Sequence, residues 1–400
     1  MTRVALSLLT LVPGISGGSE TYARELCRAL ARVGTHDYEA LVPTLAPEAG
    51  GGLETVVATG YRASTTVPGR LRAMTAAALR PGRLGEKLGT GDVVHYPLTV
   101  PVPPVDRPTV LTLLDVQHLD LPHLFPRSER LFRRLAYDRA ASRASHVVVI
   151  SEWVRERVVE RLGLAPDRVH AIHLAVDHER FTPDPAVERE PFLYYPARPW
   201  PHKNHARLYE AFARVREIRP ELRLVLTGAG QDEVGLPDGV DALGNRPLDE
   251  RISLYRRAAA LVFPSLYEGF GLPPIEAMAC GCPVAASRAG SLPEVVGDAA
   301  VLFDPDDSDA IAAAILEALA RSAELSVLGP ARAAAFTWDA CAHAHDVVYA
   351  RAAARGRSRT RSASTISDRS CSKGTSGTQP RTRRAFDASP TRSWSSALPR

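Results

Sequence analysis

The chain has 400 residues, 45% of them hydrophobic, which is more than one core usually organises, since single domains cluster at roughly 100 to 200 residues. The formal charge of +4 comes from one end: residues 355–400 hold 11 Lys or Arg against 2 Asp or Glu, leaving 38 basic and 43 acidic residues before them. A nucleic-acid-binding body is therefore excluded, and five cysteines with no Cys-x-x-Cys pair exclude zinc knuckles and a disulfide scaffold and fit a reducing cytoplasm.

Val4 to Val12 is an apolar run after Arg3 that ends at Pro13-Gly14 with no small-x-small cleavage site, so it reads as a buried first strand and not a signal peptide. No run of about eighteen apolar residues follows anywhere, so any membrane contact is expected to be peripheral, at the inner face. A helix should begin near Ser19, with Tyr22, Leu26, Leu30 and Val33 on one face, followed by strands near Val93, Val110 and Val147–Ile150. Ser151 is placed to cap a helix carrying Val154, Val158 and Leu162, and Val169 to Val176 is a further apolar run.

From Asp177 to Pro191 the periodicity gives way to Pro, Glu and Arg, which marks an interdomain connection. The alternation then restarts: strands at Phe192–Tyr195, Leu222–Thr227, Leu261–Phe263, Val284–Ala286 and Ala300–Phe303, with helices around Leu208–Val215, Leu248–Arg257, Pro274–Cys280 and Ala310–Ala320. Apolar strands between helices imply parallel sheets covered on both faces. The expected division is 1–185, 190–335, a returning helix at 336–354 and a disordered basic tail at 355–400, where Ser, Arg, Thr, Gly and Pro lack a period and large apolar residues are few.

Three segments carry chemistry. Gly17-Gly18-Ser19-Glu20 opens a helix after the first strand, so its amides can approach a phosphate, although the G-x-G-x-x-G dinucleotide fingerprint is missing and a plain tight turn fits as well. In ARPWPHKNH, Arg198 and Lys203, with Asn204 beside them, lie in a loop at the carboxyl end of a parallel strand, placed to neutralise a diphosphate. In YEGFGLPPIEAMACG, Gly269 and Gly271 free the backbone, Pro273 and Pro274 fix it, and a helix begins near Pro274. Glu268 and Glu276 flank that turn, and carboxylates accept hydrogen bonds from paired sugar hydroxyls.

These residues resemble glycosyltransferase family 4 over about residues 1–352. EGFGLPPIE is similar to the family's Glu-x7-Glu element and RPWPHKNHARLYEAF to its donor-phosphate loop, while ISEWVRERVVERLGL, VHAIHLAVD, GSLPEVVGDAAVLFDPDD and the GGSETYARELCRAL start fit as well. The resemblance implies the α/β GT-B fold, two facing Rossmann-like doubly wound domains with the active site in the cleft, and a retaining enzyme of the mannosyl- or rhamnosyltransferase type. Carried over, Arg198 and Lys203 hold the donor diphosphate, Glu276 the ribose and Glu268 the donor sugar. Phe270, Gly271 and Leu272 add contacts to sugar and phosphate, and Gly17 and Gly18 approach from the first domain. FTWDACAHAHDVVYA resembles the family's last helices, which return to the first domain.

One departure stands out: where members often carry His-Asp, this chain has Leu114-Asp115, and His118 is the nearby candidate for the missing polar role. The implied reaction moves a hexose from a nucleotide-diphosphate sugar, the co-substrate, to a glycan or lipid-linked acceptor of envelope polysaccharide. No other cofactor is expected, and no metal either, because Asp304-Pro305-Asp306 reads as a turn. A non-catalytic sugar-nucleotide-binding protein or a sugar-nucleotide epimerase of the same architecture are the competing readings, and a phosphorylase would need a pyridoxal lysine among Lys87, Lys203 and Lys373.

Overall fold

A computed structural model describes residues 1–15, 17–231 and 235–371, with backbone only from 358 onward. Residues 1–356 form one compact unit. Its first half runs β1 (Arg3–Ser7), α1 (Gly18–Val33), β2 (Asp37–Val42), β3 (Glu54–Val57), α2 (Val67–Leu79), α3 (Gly82–Leu88), β4 (Val93–Tyr96) and β5 (Thr109–Thr112). It continues with α4 (Gln117–Asp120), α5 (Arg127–Arg133), a π-helical segment Arg134–Asp138, α6 (Arg139–Arg143), β6 (His146–Val149), α7 (Glu152–Leu162) and β7 (Val169–Ala171). The seven strands lie in the order β3-β2-β1-β4-β5-β6-β7, every pair parallel.

The second half runs β8 (Glu190–Pro196), α8 (His205–Ile218), β9 (Arg223–Thr227), β10 (Val240–Ala242), α9 (Leu248–Arg257), β11 (Ala258–Phe263) and α10 (Leu272–Ala279). Then come β12 (Val284–Ser287), α11 (Leu292–Val296), β13 (Val301–Phe303), α12 (Ser308–Ala320), α13 (Ser322–Ala333) and α14 (Trp338–Cys371). The order β10-β9-β8-β11-β12-β13 is again wholly parallel. Each sheet reverses its direction of growth once, beside β1 in the first and beside β8 in the second. Open parallel sheets present ligand-binding crevices at such points, outside the carboxyl ends of the strands.

The strands are apolar because both faces are covered: Val4, Leu6, Val93, Val110 and Val148 face one core, and Ala5, Leu41, Val94, Leu111 and Val147 face the other. In α1, Tyr22, Leu26, Cys27 and Leu30 are buried, at the helical spacing read from the sequence. The expected Ser151 cap is present, its Oγ accepting from the Val154 amide at 3.1 Å, and Gly163 ends α7 in the left-handed conformation at φ 62°.

The sequence reading is silent on β2, β3, α2, α3, the Arg127–Arg143 helices, β10, α11 and α13. Most are short, or, like α2 with its Pro-Gly first turn, lack a sustained apolar stripe. The compact unit ends at Gly356, and α14 runs on past it to Cys371. The remainder of the expected tail, 372–400, lies outside the described residues.

The amino end of α14 packs on the first sheet through a buried polar network. Tyr22 Oη sits 2.8 Å from Thr112 Oγ1 and 2.9 Å from His345 Nε2, and His95 bridges Thr112 and Tyr349 at 2.8 Å each. Asp346 accepts from the Thr35 amide and hydroxyl at 2.8 Å and from Tyr38. Every buried polar group in this network has a partner, as burial demands.

Candidate active site in the interdomain cleft

The cleft is built where the β8–α8 loop, the β11–α10 loop and the β1–α1 loop meet. In the first of these, Asn204 adopts φ 60°, a left-handed conformation that Asn tolerates better than most residues. Its amide nitrogen donates to the carbonyls of Pro264 at 3.1 Å and Pro305 at 2.8 Å. That lock turns Lys203 toward the second loop, where its Nζ donates to Glu268 Oε1 at 2.5 Å, both side chains largely buried.

Gly271 precedes α10 with φ 100°, and a Cβ there would stand 2.6 Å from Leu292 Cδ2. Only glycine fits, and the free amides of the first turn of α10 are thereby aimed at the cleft with their helix dipole. Ser291 secures the turn, its hydroxyl lying 3.1 and 3.0 Å from the carbonyls of Glu268 and Phe270. Phe270 is buried against His173 and Phe336, so its side chain is structural and only its backbone is available to a ligand.

The first domain meets this surface directly. Arg198 donates to the Gly14 carbonyl at 3.2 Å, and Gly18 lies against the Leu272 side chain, where a Cβ would come within 3.4 Å. Gly17, at φ 55°, opens α1 at the same place. The structure thus brings Gly17, Gly18, Arg198, Lys203, Glu268, Gly271 and Leu272 around one crevice.

The two glutamates part company. Glu268 pairs with Lys203, whereas Glu276 is buried and accepts from the Tyr255 hydroxyl at 2.7 Å. Burial pushes the Glu276 carboxyl above its usual range, against the pull of the Arg251 guanidinium and the Tyr255 hydrogen bond. Tyr255 gave no signal in the sequence, since it is a separate helical residue brought in by the packing of α9.

His118 has a partner within the first domain. It is 2% exposed in α4, with Nε2 3.0 Å from Asp138 Oδ1 and its ring edge-on to Tyr137. The π-helical insertion that ends at Asp138 supplies this partner, and local spacing does not reveal it. Asp115 of this stretch is 3.5 Å from Arg133 and close enough to His202 of the second domain to act on its charge. Burial first, then the Lys203 ammonium, lowers His202 to about 4, so it is a neutral imidazole at pH 7.

The domains are held together across the cleft by polar contacts. Ser151 Oγ donates to the Gly269 carbonyl at 2.8 Å, and a Cβ on Gly269 would come within 2.5 Å of the Leu114 carbonyl. Glu294 accepts from the amides of Glu152 at 2.9 Å and Trp153 at 3.0 Å, capping α7 from the other domain, and from His173 at 2.5 Å. Burial of Glu294 opposes ionisation, yet His173 and these two amides hold its carboxyl below the usual range. Tyr267 completes the seam, stacked edge-on against Trp153 at 4.9 Å and donating to Asp120 at 3.3 Å.

Two facing parallel sheets of seven and six strands, with a cleft lined by glycine turns, cations and a helix N-terminus, define a glycosyltransferase of GT-B architecture. The sequence comparisons agree: the model for Glycosyltransferase Family 4 matches residues 16–180 and that for Glycosyl transferases group 1 matches residues 177–331. The chain belongs to glycosyltransferase family 4.

It is 32% identical to the O-antigen chain mannosyltransferase B of Escherichia coli over 58% of this chain and 67% of that one. It is 30% identical to D-inositol 3-phosphate glycosyltransferase 2 of Catenulispora acidiphila over 84% of this chain and 91% of that one. Among solved structures it resembles sucrose-phosphate synthase from Thermosynechococcus elongatus, with a TM-score of 0.69 at 21% identity over 88% of this chain and 99% of that one. It also resembles Anabaena HepE in complex with UDP and glucose, with a TM-score of 0.65 at 18% identity over 88% of this chain and the whole of that one. At these identities the structural likenesses speak for the fold alone.

Proposed function

We propose that the chain is a retaining, metal-independent hexosyltransferase that transfers a mannose-like sugar from a nucleotide-diphosphate donor to a glycan or lipid-linked acceptor in polysaccharide synthesis. The observation that carries this reading is the convergence of Arg198, Lys203, the Gly17-Gly18 turn and the amino end of α10 on one crevice. Two cations and a helix N-terminus match a diphosphate and stabilise it as it leaves. The mannosyltransferase names among the relatives support the sugar class.

In this reading Arg198 and Lys203 hold the diphosphate, with amides of Gly17, Gly18, Gly271 and Leu272. Glu268, already oriented by Lys203, takes the donor sugar hydroxyls, and Glu276, oriented by Tyr255, takes the ribose. The departing diphosphate accepts the acceptor hydroxyl proton on the same face of the sugar, which retains the anomeric configuration. His118 has no direct chemical part here, since its imidazole is buried against Asp138 and Tyr137.

The Asp304-Pro305-Asp306 turn supports metal independence because its groups are engaged elsewhere. Asp304 accepts from the Asp306 amide at 2.8 Å, and Asp306 is paired with Arg207 at 2.6 Å. Incubating the protein with uridine, guanosine, thymidine and adenosine diphosphate hexoses, with and without chelator, while following nucleotide release and the product anomer by NMR tests the whole reading. An inverted anomer, or release only with divalent metal, would refute the corresponding part.

A further inference from the structure

Among the described residues, Trp200 is the only Phe, Tyr or Trp that stands exposed, with 50% of its surface open. It belongs to the loop between β8 and α8 that carries Arg198 and Lys203. A lone apolar side chain on a surface is ordinary, but this one is held in place. Pro199 and Pro201 flank it and fix the backbone on either side, and Trp200 itself is extended at φ −78° and ψ 145°, as a residue before proline must be. Its amide donates to the Arg198 carbonyl at 2.8 Å. The Arg198 guanidinium lies 5.6 Å from the indole centroid, and the His202 ring 5.7 Å from it. A ring fixed in this way binds a ligand without first having to be ordered.

The neighbours of Trp200 lead to the first domain. Arg198 donates to the Gly14 carbonyl, and the His202 carbonyl accepts from the Leu266 amide at 2.8 Å. The loop that begins at Leu266 then touches the first domain twice: Tyr267 donates to Asp120 at 3.3 Å, and a Cβ on Gly269 would stand 2.5 Å from the Leu114 carbonyl. Asp115 follows Leu114 and lies 3.5 Å from Arg133, whose guanidinium is 4.6 Å above the Phe125 ring. The Gln117 amide donates to Asp115 Oδ1 at 3.0 Å. Gln117 is only 7% exposed, and its side-chain nitrogen has no hydrogen-bond partner among the described residues. Leaving such a donor unpaired is costly, and a ligand hydroxyl would satisfy it.

A pyranose ring has a face of C–H groups and a rim of hydroxyls. The indole suits the face, while a carboxylate, a guanidinium and an amide suit the rim. A nucleobase also stacks on an indole, but Glu276, the residue assigned to the ribose, is buried against Tyr255 of α9 inside the second domain, away from the contacts that Trp200 makes. We propose that Trp200, with Asp115 and Arg133 across the cleft, forms a subsite for a pyranose ring of the acceptor, so that the acceptor is recognised through a sugar unit. That the ring belongs to the acceptor rests on the transferase reading above; the binding of a pyranose does not.

The test is saturation-transfer NMR on the full chain with mannobiose as the probe and sorbitol, an open-chain polyol, as the control. Saturation transfer to mannobiose and none to sorbitol is expected. Trp200→Leu should weaken mannobiose binding at least about fivefold and Trp200→Phe should restore most of it, while Asp115→Asn should weaken it with the indole in place. Val327→Ser, at an exposed valine of α13, should bind like the wild type. Circular dichroism checks that each variant is folded. In turnover with mannobiose as acceptor, Trp200→Leu should raise the acceptor KM by a similar factor and leave kcat within about threefold. Absence of saturation transfer to mannobiose in the wild type overturns the proposal, as does undiminished binding by Trp200→Leu. A Trp200→Leu variant that loses affinity for nucleoside diphosphates and not for mannobiose also overturns it, by assigning the indole to the donor. Failure of the transferase reading would show elsewhere, as no nucleotide release from any donor hexose, because the NMR measurement needs neither donor nor turnover.

Discussion

Lys203 Nζ donates to Glu268 Oε1 at 2.5 Å, joining the loop after β8 to the loop after β11. The pair sits between two domains and is mostly shielded from water, so each charge depends on the other until a ligand arrives. On the proposed reading, a diphosphate entering the crevice would compete for Lys203 and free Glu268 for sugar hydroxyls.

Removing either partner should therefore do more than delete one contact. Lys203→Ala is expected to lower kcat/KM for nucleotide release by about 100-fold or more, the range for loss of one preorganised group facing developing charge. Glu268→Gln should fall by a comparable factor while keeping donor affinity within a few-fold. Steady-state kinetics with donor titration checks both, and an unchanged kcat/KM in Lys203→Ala would remove the lysine from the site.

Gly269→Ala places a methyl group 2.5 Å from the Leu114 carbonyl and 3.2 Å from Ile150 Cδ1, both in the other domain. The expected outcome is a folded protein with its domains held apart, showing a larger radius of gyration by small-angle scattering and at least about a tenfold drop in kcat. A variant with wild-type scattering and turnover would contradict this.

Glu294→Gln keeps the shape of the α7 cap but removes its negative charge from two amides and His173. Loss of a charged cap costs about 1 kcal/mol, so a small fall in Tm and a raised KM for donor are expected. Calorimetry and kinetics on the same preparation separate the two effects.

Burial lowers His95 well below its ordinary value and brings His345, His170, His202 and His205 each to about 4. Because the unfolded imidazoles take up protons first, the stability these groups permit is complete above about pH 6.5 and is lost as pH falls toward about 4. Denaturant midpoints should decline across that window, each histidine contributing up to about 1.4 kcal/mol per pH unit. His345→Gln should show a shallower decline than wild type, and a pH-independent midpoint would refute the argument.

His118→Ala should lower stability, since it opens a hole beside Tyr137 and strands Asp138. Turnover per folded molecule should change less than about threefold, well below the effect of a direct chemical group. Activity measured at matched folded fraction makes the distinction.

Much of this site is legible in the sequence because local chemistry dictates it. Gly271 must be glycine for its backbone angle, Ser151 caps its own helix, and a cationic loop after a parallel strand lies at the carboxyl edge of the sheet by topology. What sequence does not carry is which side chains meet across the fold. Glu276 and Tyr255 are partners because α9 packs beside α10, and Asp138 reaches His118 through a π-helical insertion. Glu294 looks like an ordinary first-turn glutamate, and its true partners are the amides of a helix in the other domain. The helical stretch Arg127–Arg143 shows no core-facing period because its apolar residues are divided between the inside and the surface.

The return of α14 to the first sheet has a consequence for how the chain is made. Tyr22, His95 and Thr112 leave the ribosome early, but the groups that complete their network, His345 and Tyr349, emerge only after the whole second sheet has been translated. Vectorial synthesis therefore finishes the second domain's strands before the first domain can close its interior. A nascent chain stalled after α13 would leave Tyr22 and His95 without the hydrogen bonds that His345 and Tyr349 supply.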